Sequence, residues 1–114
     1  MTRQNDTRAA RRVPLRLAAT LTLIDGSRLD AQTVDLSPGG ICLGTASQLR
    51  LAQLCALTVR SAIDGAPRTL LAMGQIVYSD PDPALGFRTG VQFLKIDADS
   101  VAVLGRLLAP APGD

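Results

Sequence analysis

The feature that most narrows the possible folds is a run of alternating apolar residues that ends at an Asp-Gly pair. The apolar positions of this run are Leu15, Leu17, Ala19, Leu21 and Leu23. A repeat of two residues is typical of a strand with one buried face, and Asp25-Gly26 is a strong hairpin signal. We therefore expect a strand over residues 15–23 that returns through residues 28–34.

Short apolar runs separated by turn signals continue along the chain. Residues 41–43, 54–60, 70–78 and 87–93 read as further strands, and residues 45–53 as a loop or irregular crossing. Asp64-Gly65 predicts a second hairpin, and Gly74 a bulge. Residues 79–83 hold Pro81 and Pro83 and are expected to form a turn or loop, because proline cannot donate to a central ladder.

The apolar period changes after the last of these runs. Asp97 and Ser100 are suitable N-cap residues, and apolar residues follow at helical spacing: Val101, Leu104, Leu107 and Leu108. Pro110, Pro112 and Gly113 end this helix and give a frayed tail over residues 109–114. About six short strands followed by one helix predict an all-β fold with a terminal helix, in which an antiparallel sheet closes toward a barrel.

Composition limits the chemistry available to the chain. Its 114 residues fit one domain, and aromatic residues are so few that Leu, Val, Ile and Ala must build the core. Histidine, the commonest general base and metal ligand, is absent, so we expect neither an enzyme nor a metal site. Cys42 and Cys55 lie in apolar runs and read as buried free thiols in a reducing cytoplasm, although a disulfide between them stays open.

The charge is concentrated near the N-terminus. The net charge of +2 is too small to indicate binding of DNA or RNA, yet residues 3–16 carry five arginines against the single acid Asp6. The polar N-terminus leads into no apolar run of the signal-peptide type, and no stretch approaches the roughly 18 apolar residues of a membrane span. We expect a cytoplasmic protein without membrane insertion.

Two segments carry polar groups suited to an anionic ligand. In Asp35-Leu36-Ser37-Pro38-Gly39-Gly40, read as a tight turn, Asp35 can accept hydrogen bonds from a guanine edge and Ser37 can donate to a phosphate. Gly40 permits a positive φ or close backbone approach to a ligand. Alternatively, Asp35 and Ser37 cap their own turn.

The second segment consists of arginines, whose guanidinium groups pair bidentately with phosphate and with guanine. They are Arg8, Arg11, Arg12 and Arg16. A solvated basic tail is the alternative. A guanine nucleotide would need both segments, so we interpret them as one site.

These residues carry a resemblance to a known family. Arg8-Ala9-Ala10-Arg11-Arg12 stands just before Val13-Pro14-Leu15, and the Asp35–Gly40 stretch just before Ile41-Cys42-Leu43. Gly90-Val91-Gln92-Phe93 and the terminal helix follow later in the chain. With these features added to the two motifs, the chain resembles a PilZ domain, a bacterial receptor module for cyclic di-GMP, over residues 8–108. The resemblance implies a six-stranded antiparallel β-barrel of PilZ type with a C-terminal α-helix.

The resemblance also implies roles for individual residues. Arg8 and Arg12 would clamp phosphates and guanine edges, Asp35 would read guanine, Ser37 would contact a phosphate, and Gly40 would keep the turn open. Thr7 stands where many members have a further arginine, and Arg11 would substitute in part. Arg12 and Arg16 also have the spacing of the arginine motif, but the assignment of the motif to Arg8 and Arg12 is preferred. Tyr78 is interpreted as a packed or surface aromatic, with base stacking as the alternative.

The implied function is second-messenger signalling. A flexible arm over residues 1–11 would be ordered by cyclic di-GMP on a body formed by residues 12–108, and an unidentified protein partner would read that change. The alternative is a PilZ-like interaction module that does not bind the nucleotide. Monomer and homodimer are both open, as is the regulated process, with motility, pili and exopolysaccharide among the possibilities.

Overall fold

The computed structural model describes residues 12–109. The proposed arm, with Arg8 and Arg11, and the tail from residue 110 lie outside this part. Within residues 12–109, seven strands precede one helix. They are β1 Val13–Pro14, β2 Ala18–Leu23, β3 Arg28–Ser37, β4 Gly40–Thr45, β5 Leu54–Ile63, β6 Ala66–Asp82 and β7 Gly86–Ile96, and the helix is α1 Ala98–Leu108.

Six of the strands form a closed antiparallel barrel, as predicted. The sheet runs in the order β3, β2, β5, β6, β7, β4, and β4 pairs again with β3 to close the ring. The two-residue β1 is added outside the ring on β3. Closure gives each of these six strands a partner strand on both sides over part of its length.

Aliphatic side chains fill the barrel, as the scarcity of aromatic residues required. The largest fully buried residues are Leu21, Leu36, Leu43, Leu57, Leu70 and Ile76. Val103 and Leu104 of α1 join this core, and Phe93 packs against it while partly exposed. The helix therefore covers apolar surface that the strands leave open.

The N-terminus of α1 attaches the helix to the barrel. Asp97 caps it by accepting a hydrogen bond from the Ser100 N–H at 2.8 Å. The Ser100 hydroxyl accepts a hydrogen bond from the Leu71 N–H at 2.8 Å. Leu71 lies just outside the β6–β7 ladder, whose terminal pair is Ala72 with Ile96. Val101, which has helical spacing to Leu104 and Leu108, does not share their burial: it is 52% exposed, because the buried face of the helix holds Ser100, Val103 and Leu104.

Strand β6 is longer than the sequence predicted. The expected turn or loop over residues 79–83 is wrong for residues 79–82, because the strand continues to Asp82 and pairs Pro81 with Phe87; Pro83 lies in the turn that follows. Beyond Gln75, β6 pairs with β7 alone, so one side of the strand lacks a strand neighbour there and tolerates proline. The pairing shifts register at Gly74, where a bulge was predicted in β6, but the extra residue there is Leu94 of β7; the extra residue of β6 is Val77, between Ile76 and Tyr78.

The first predicted strand is interrupted at its start. A side chain replaces part of the ladder there: the Leu17 N–H donates to Thr33 Oγ1 at 2.8 Å, and the Thr33 hydroxyl donates to the Leu15 carbonyl at 2.7 Å. Residues 15–17 therefore separate β1 from β2. Strand β1 lies beside the end of β3, with Pro14 opposite Asp35.

Candidate functional site

The polar motif lies on a hairpin and not in a six-residue turn. Asp35 and Ser37 are still part of β3, Gly40 opens β4, and only Pro38 and Gly39 form the turn. This corrects the prediction of one tight turn over the whole stretch. Because side chains alternate along a strand, Asp35 and Ser37 share the outer face while Leu36 is buried between them.

Arg12 reaches this outer face from β1. Its Nη1 atom lies 3.0 Å from Asp35 Oδ1, although 22 residues separate the two in sequence. The Arg12 side chain is half-exposed and that of Asp35 is partly buried. Exposed ion pairs of this kind contribute about 0–1 kcal/mol. The contact therefore orients the guanidinium at little cost to its release.

A cavity of about 350 Å³ opens beside this pair. Arg12, Ser37 and Gly40 line it from β1, β3 and β4, and Tyr78, Val77 and Gln92 line it from β6 and β7. Three of the predicted site residues thus share one cavity, and Asp35 adjoins it through its contact with Arg12. Arg8 and Arg11 lie outside the described residues.

Ser37 and Gly40 also have structural roles. The Ser37 hydroxyl donates to the Gly40 carbonyl at 3.2 Å across the hairpin, as the self-capping alternative anticipated for this residue. Gly40 does not have a positive φ. It is required by close packing, because a Cβ atom there would lie 2.5 Å from the Val91 carbonyl oxygen. The predicted close approach is therefore to β7 of the same chain.

Tyr78 forms a wall of the cavity that the motifs did not indicate. Cross-strand pairing places Asp35, Cys42, Gly90 and Tyr78 in one row over four strands. The Tyr78 ring lies over Gly90, where any Cβ would overlap it. Burial, with a hydrogen bond to Cys42 as a smaller cause, raises the pKa of Tyr78 to about 12. The phenol is therefore neutral at physiological pH. No sequence motif indicated this wall, because the pairing of Tyr78 with Gly90 depends on strand register.

Arg16 lies away from this cavity. It is exposed and borders a different cavity of about 490 Å³, together with Arg88 and Asp82. Of the two arginines in the alternative register, only Arg12 lines the cavity beside Asp35. Within residues 12–109, no His, Cys, Asp or Glu side chains cluster as metal ligands. In the same part of the chain, no helix is long and apolar enough to cross a membrane.

Fold and site together define a small closed β-barrel module with an arginine-containing cavity on its outer face. The PilZ domain family model matches residues 6–109, and the chain belongs to the PilZ domain family. Among curated proteins, none matches this chain.

Solved structures show the same fold at low sequence identity. The Bacillus subtilis inhibitor of motility MotI/DgrA has a TM-score of 0.73 and 17% identity over 85% of this chain, which spans only 47% of that protein. The PilZ domain of YcgR from Escherichia coli, solved with c-di-GMP, has a TM-score of 0.64 and 20% identity, covering 89% of this chain and 88% of that one. The PilZ domain of CeSA from a cellulose-synthesizing bacterium has a TM-score of 0.60 and 20% identity, covering 86% and 94%.

Proposed function

We propose that this chain is a cytoplasmic receptor for cyclic di-GMP, a binding module and not an enzyme. The observation that carries the proposal is the contact of Arg12 with Asp35 at the edge of a cavity that Ser37 also lines. That arrangement offers a guanidinium, a carboxylate and a hydroxyl on one outer face. Family membership supports the proposal, as does the c-di-GMP bound by the related YcgR domain.

Each group has a chemical role toward a guanine nucleotide. The Arg12 guanidinium pairs bidentately with a phosphate or with the O6/N7 edge of guanine. The Asp35 carboxylate accepts from the N1–H and N2–H₂ donors of the base. The Ser37 hydroxyl donates to a phosphate oxygen, and Gly40 keeps the hairpin narrow. A neutral Tyr78 ring offers a surface on which a base stacks.

Binding in this scheme is an exchange of ion-pair partners. Arg12 leaves Asp35 and turns to the ligand, which frees the carboxylate for the guanine edge. Arg8 and Arg11 supply further positive charge from the N-terminal arm, and ordering of that arm changes the surface offered to a protein partner. The signal then passes through that partner.

A second candidate function rests on the same contact. Arg12 and Asp35 neutralise each other without any ligand, which favours a PilZ-like interaction module that does not bind the nucleotide. The two functions differ in one measurable property, which is the affinity for cyclic di-GMP.

Calorimetric titration of the full chain with cyclic di-GMP tests the proposal. We expect binding at micromolar concentration and a loss of about 1.5–3 kcal/mol, tenfold or more in affinity, for Arg12→Ala. Arg16→Ala is the matched control, because Arg16 is an exposed arginine outside the cavity, and its affinity should equal that of the parent.

Two results would contradict the proposal in different ways. Absence of binding heat in a folded sample would favour the interaction module. Equal affinities of Arg12→Ala and the parent would reject Arg12 as a ligand contact.

A further inference from the structure

A glutamine side chain lines the candidate ligand cavity without a hydrogen-bond partner. Four polar side chains of the described residues line this cavity. Three of them are engaged within the chain: Arg12 pairs with Asp35, the Ser37 hydroxyl donates across its hairpin, and Tyr78 is hydrogen-bonded to the thiol of β4. The fourth is Gln92 of β7, which is exposed and whose carboxamide bonds to no other residue within residues 12–109. Gln92 can therefore bind a ligand without first losing a partner in the protein.

Strand register places Gln92 across the cavity from the Asp35–Gly40 motif. Ser37 pairs with Gly40, and Gly40 pairs with Gln92, so the three residues form one row over β3, β4 and β7. Neighbouring strands lie about 4.8 Å apart, which puts the backbones of Ser37 and Gln92 roughly 10 Å apart. No side chain stands between them, because the middle residue is a glycine. A ligand held by Ser37 and Arg12 on one wall therefore meets Gln92 on the other.

The Tyr78 ring lies beside Gln92. Tyr78 pairs with Gly90, and its ring covers that glycine. Gln92 is the next residue of β7 on the same face, because side chains alternate along a strand and Val91 between them is buried. Residues two apart on a strand are separated by about 7 Å. A base that stacks on the Tyr78 ring from the cavity therefore presents one of its edges to Gln92.

The carboxamide has the chemistry of a base-binding group. Its oxygen accepts hydrogen bonds and its amino group donates them side by side, whereas a phosphate accepts only and is met better by arginine. Guanine offers a matching pair in its N2 amino group and the neighbouring N3 acceptor. The other polar positions of the base, N1 and O6/N7, suit Asp35 and Arg12.

We propose that Gln92 is a specificity-determining residue of the site, which hydrogen-bonds the N2 and N3 atoms of the guanine base that stacks on Tyr78. This inference rests on the proposed receptor function and adds a ligand contact on β7 that neither motif contains. The site then holds the nucleotide between two walls, with the charged groups on β1 and β3 and the neutral groups on β6 and β7.

Calorimetric titration of the full chain with cyclic di-GMP compares Gln92→Ala with the parent. Loss of hydrogen bonds between neutral groups should weaken binding about two- to tenfold. Gln32→Ala is the matched control, because Gln32 is also an exposed glutamine on a strand but lines the other cavity, and its affinity should equal that of the parent. Both variants should unfold thermally like the parent, because both side chains are exposed.

A dinucleotide without the N2 amino groups identifies the atoms that Gln92 contacts. Cyclic di-IMP, which carries hypoxanthine in place of guanine, differs from cyclic di-GMP only at that position. We expect the parent to prefer cyclic di-GMP by a larger factor than Gln92→Ala does, because every contact made by Asp35 is the same in both proteins.

Two further measurements separate Gln92 from its neighbours. Tyr78→Leu keeps apolar cover over β7 but removes the stacking surface, so Gln92→Ala should cost less affinity in that background than in the parent. Because the carboxamide is uncharged, the affinity of Gln92→Ala should fall with added salt as steeply as that of the parent. Arg12→Ala should show a shallower salt dependence.

Three results would overturn the role of Gln92 while leaving the receptor function intact. They are equal affinities of Gln92→Ala and the parent for cyclic di-GMP, an unchanged preference over cyclic di-IMP, and full additivity with Tyr78→Leu. Absence of binding by the folded parent is a different result, because it would overturn the proposed function and this inference together.

Discussion

At the scale of the residue, Gly90 decides where the only tyrosine of the chain lies. Tyr78 faces Gly90 across the β6–β7 ladder, and without a side chain there the ring lies across β7 toward Cys42. Burial and the contact with Cys42 follow from this arrangement. The wall of the cavity therefore depends on a missing side chain as much as on the aromatic ring.

Replacing Gly90 with alanine should displace the ring. We expect Gly90→Ala to lower the free energy of unfolding by about 1–3 kcal/mol through overpacking. Gly39→Ala is the control, because Gly39 lines the same cavity with open space around it and no positive φ, and its effect should stay within about 0.5 kcal/mol. Urea denaturation measures both.

A double variant gives a stricter test of the same contact. If the clash is with the ring, Tyr78→Ala should absorb most of the cost of Gly90→Ala, so the two changes are less than additive. Strict additivity would mean that the Gly90 methyl group is accommodated elsewhere.

The titration of Tyr78 is a second prediction at this scale. The chain has one tyrosine and no tryptophan, so the phenolate absorbance reports Tyr78 alone. Because the folded-state pKa, about 12, lies above the ordinary value of 10.0, the unfolded chain loses this proton first. The contribution to stability is complete below pH 10 and is lost as the pH rises toward 12. A phenolate that titrates near pH 10 in the folded protein would contradict the burial of the ring.

At the scale of the element, Thr33 holds the interruption between β1 and β2. Its hydroxyl accepts from the Leu17 N–H and donates to the Leu15 carbonyl, which keeps β1 beside β3 and Arg12 beside Asp35. Main-chain hydrogen bonds from Thr33 to Leu17 and from Leu15 to Val34 hold the same segments, so the Thr33 side chain adds to a backbone arrangement that positions the two halves of the candidate site.

Thr33→Val should remove both hydrogen bonds while keeping the shape of the side chain. We expect a loss of about 1–3 kcal/mol of unfolding free energy, because two main-chain groups lose their partner. Thr22→Val on β2, whose hydroxyl makes none of these contacts, should change stability by less than about 0.5 kcal/mol. Equal effects in thermal unfolding would show that the Thr33 bonds contribute nothing beyond burial.

At the scale of the whole molecule, closure of the barrel separates the two thiols. Cys55 belongs to the core cluster, and burial raises the pKa of its thiol. Cys42 lies on the outer side of β4, where Tyr78 and Arg88 contact it. Both are buried and free, which answers the question of a disulfide that the sequence left open.

Thiol labelling should therefore distinguish global unfolding, which exposes Cys55, from local opening of the protein surface at Cys42. Cys55 should react only on global unfolding, whereas Tyr78→Ala should expose Cys42 and accelerate its labelling alone. Mass spectrometry after proteolysis assigns the two sites. If Tyr78→Ala accelerated the labelling of Cys55 by the same factor as that of Cys42, the two thiols would not lie on opposite sides of the barrel wall.

Local patterns predicted much of the fold. The two-residue alternation, both Asp-Gly hairpins and the Asp97 cap were readable because each depends on residues a few positions apart. Predictions went wrong where long-range packing decides. Pro81 joins a strand because β6 pairs only with β7 there. Val101 is exposed because Ser100 occupies the buried position and accepts a hydrogen bond from Leu71 of β6.

The sequence by itself determined the aliphatic barrel with its terminal helix and the family motif, since periodicity, turn residues and motif spacing are local properties. Only the tertiary structure decided which residues share a surface. It brings Arg12 to Asp35 through pairing of β1 with β3, and it lays Tyr78 over Gly90. These are contacts between segments distant in sequence, and strand register, which barrel closure sets, determines them.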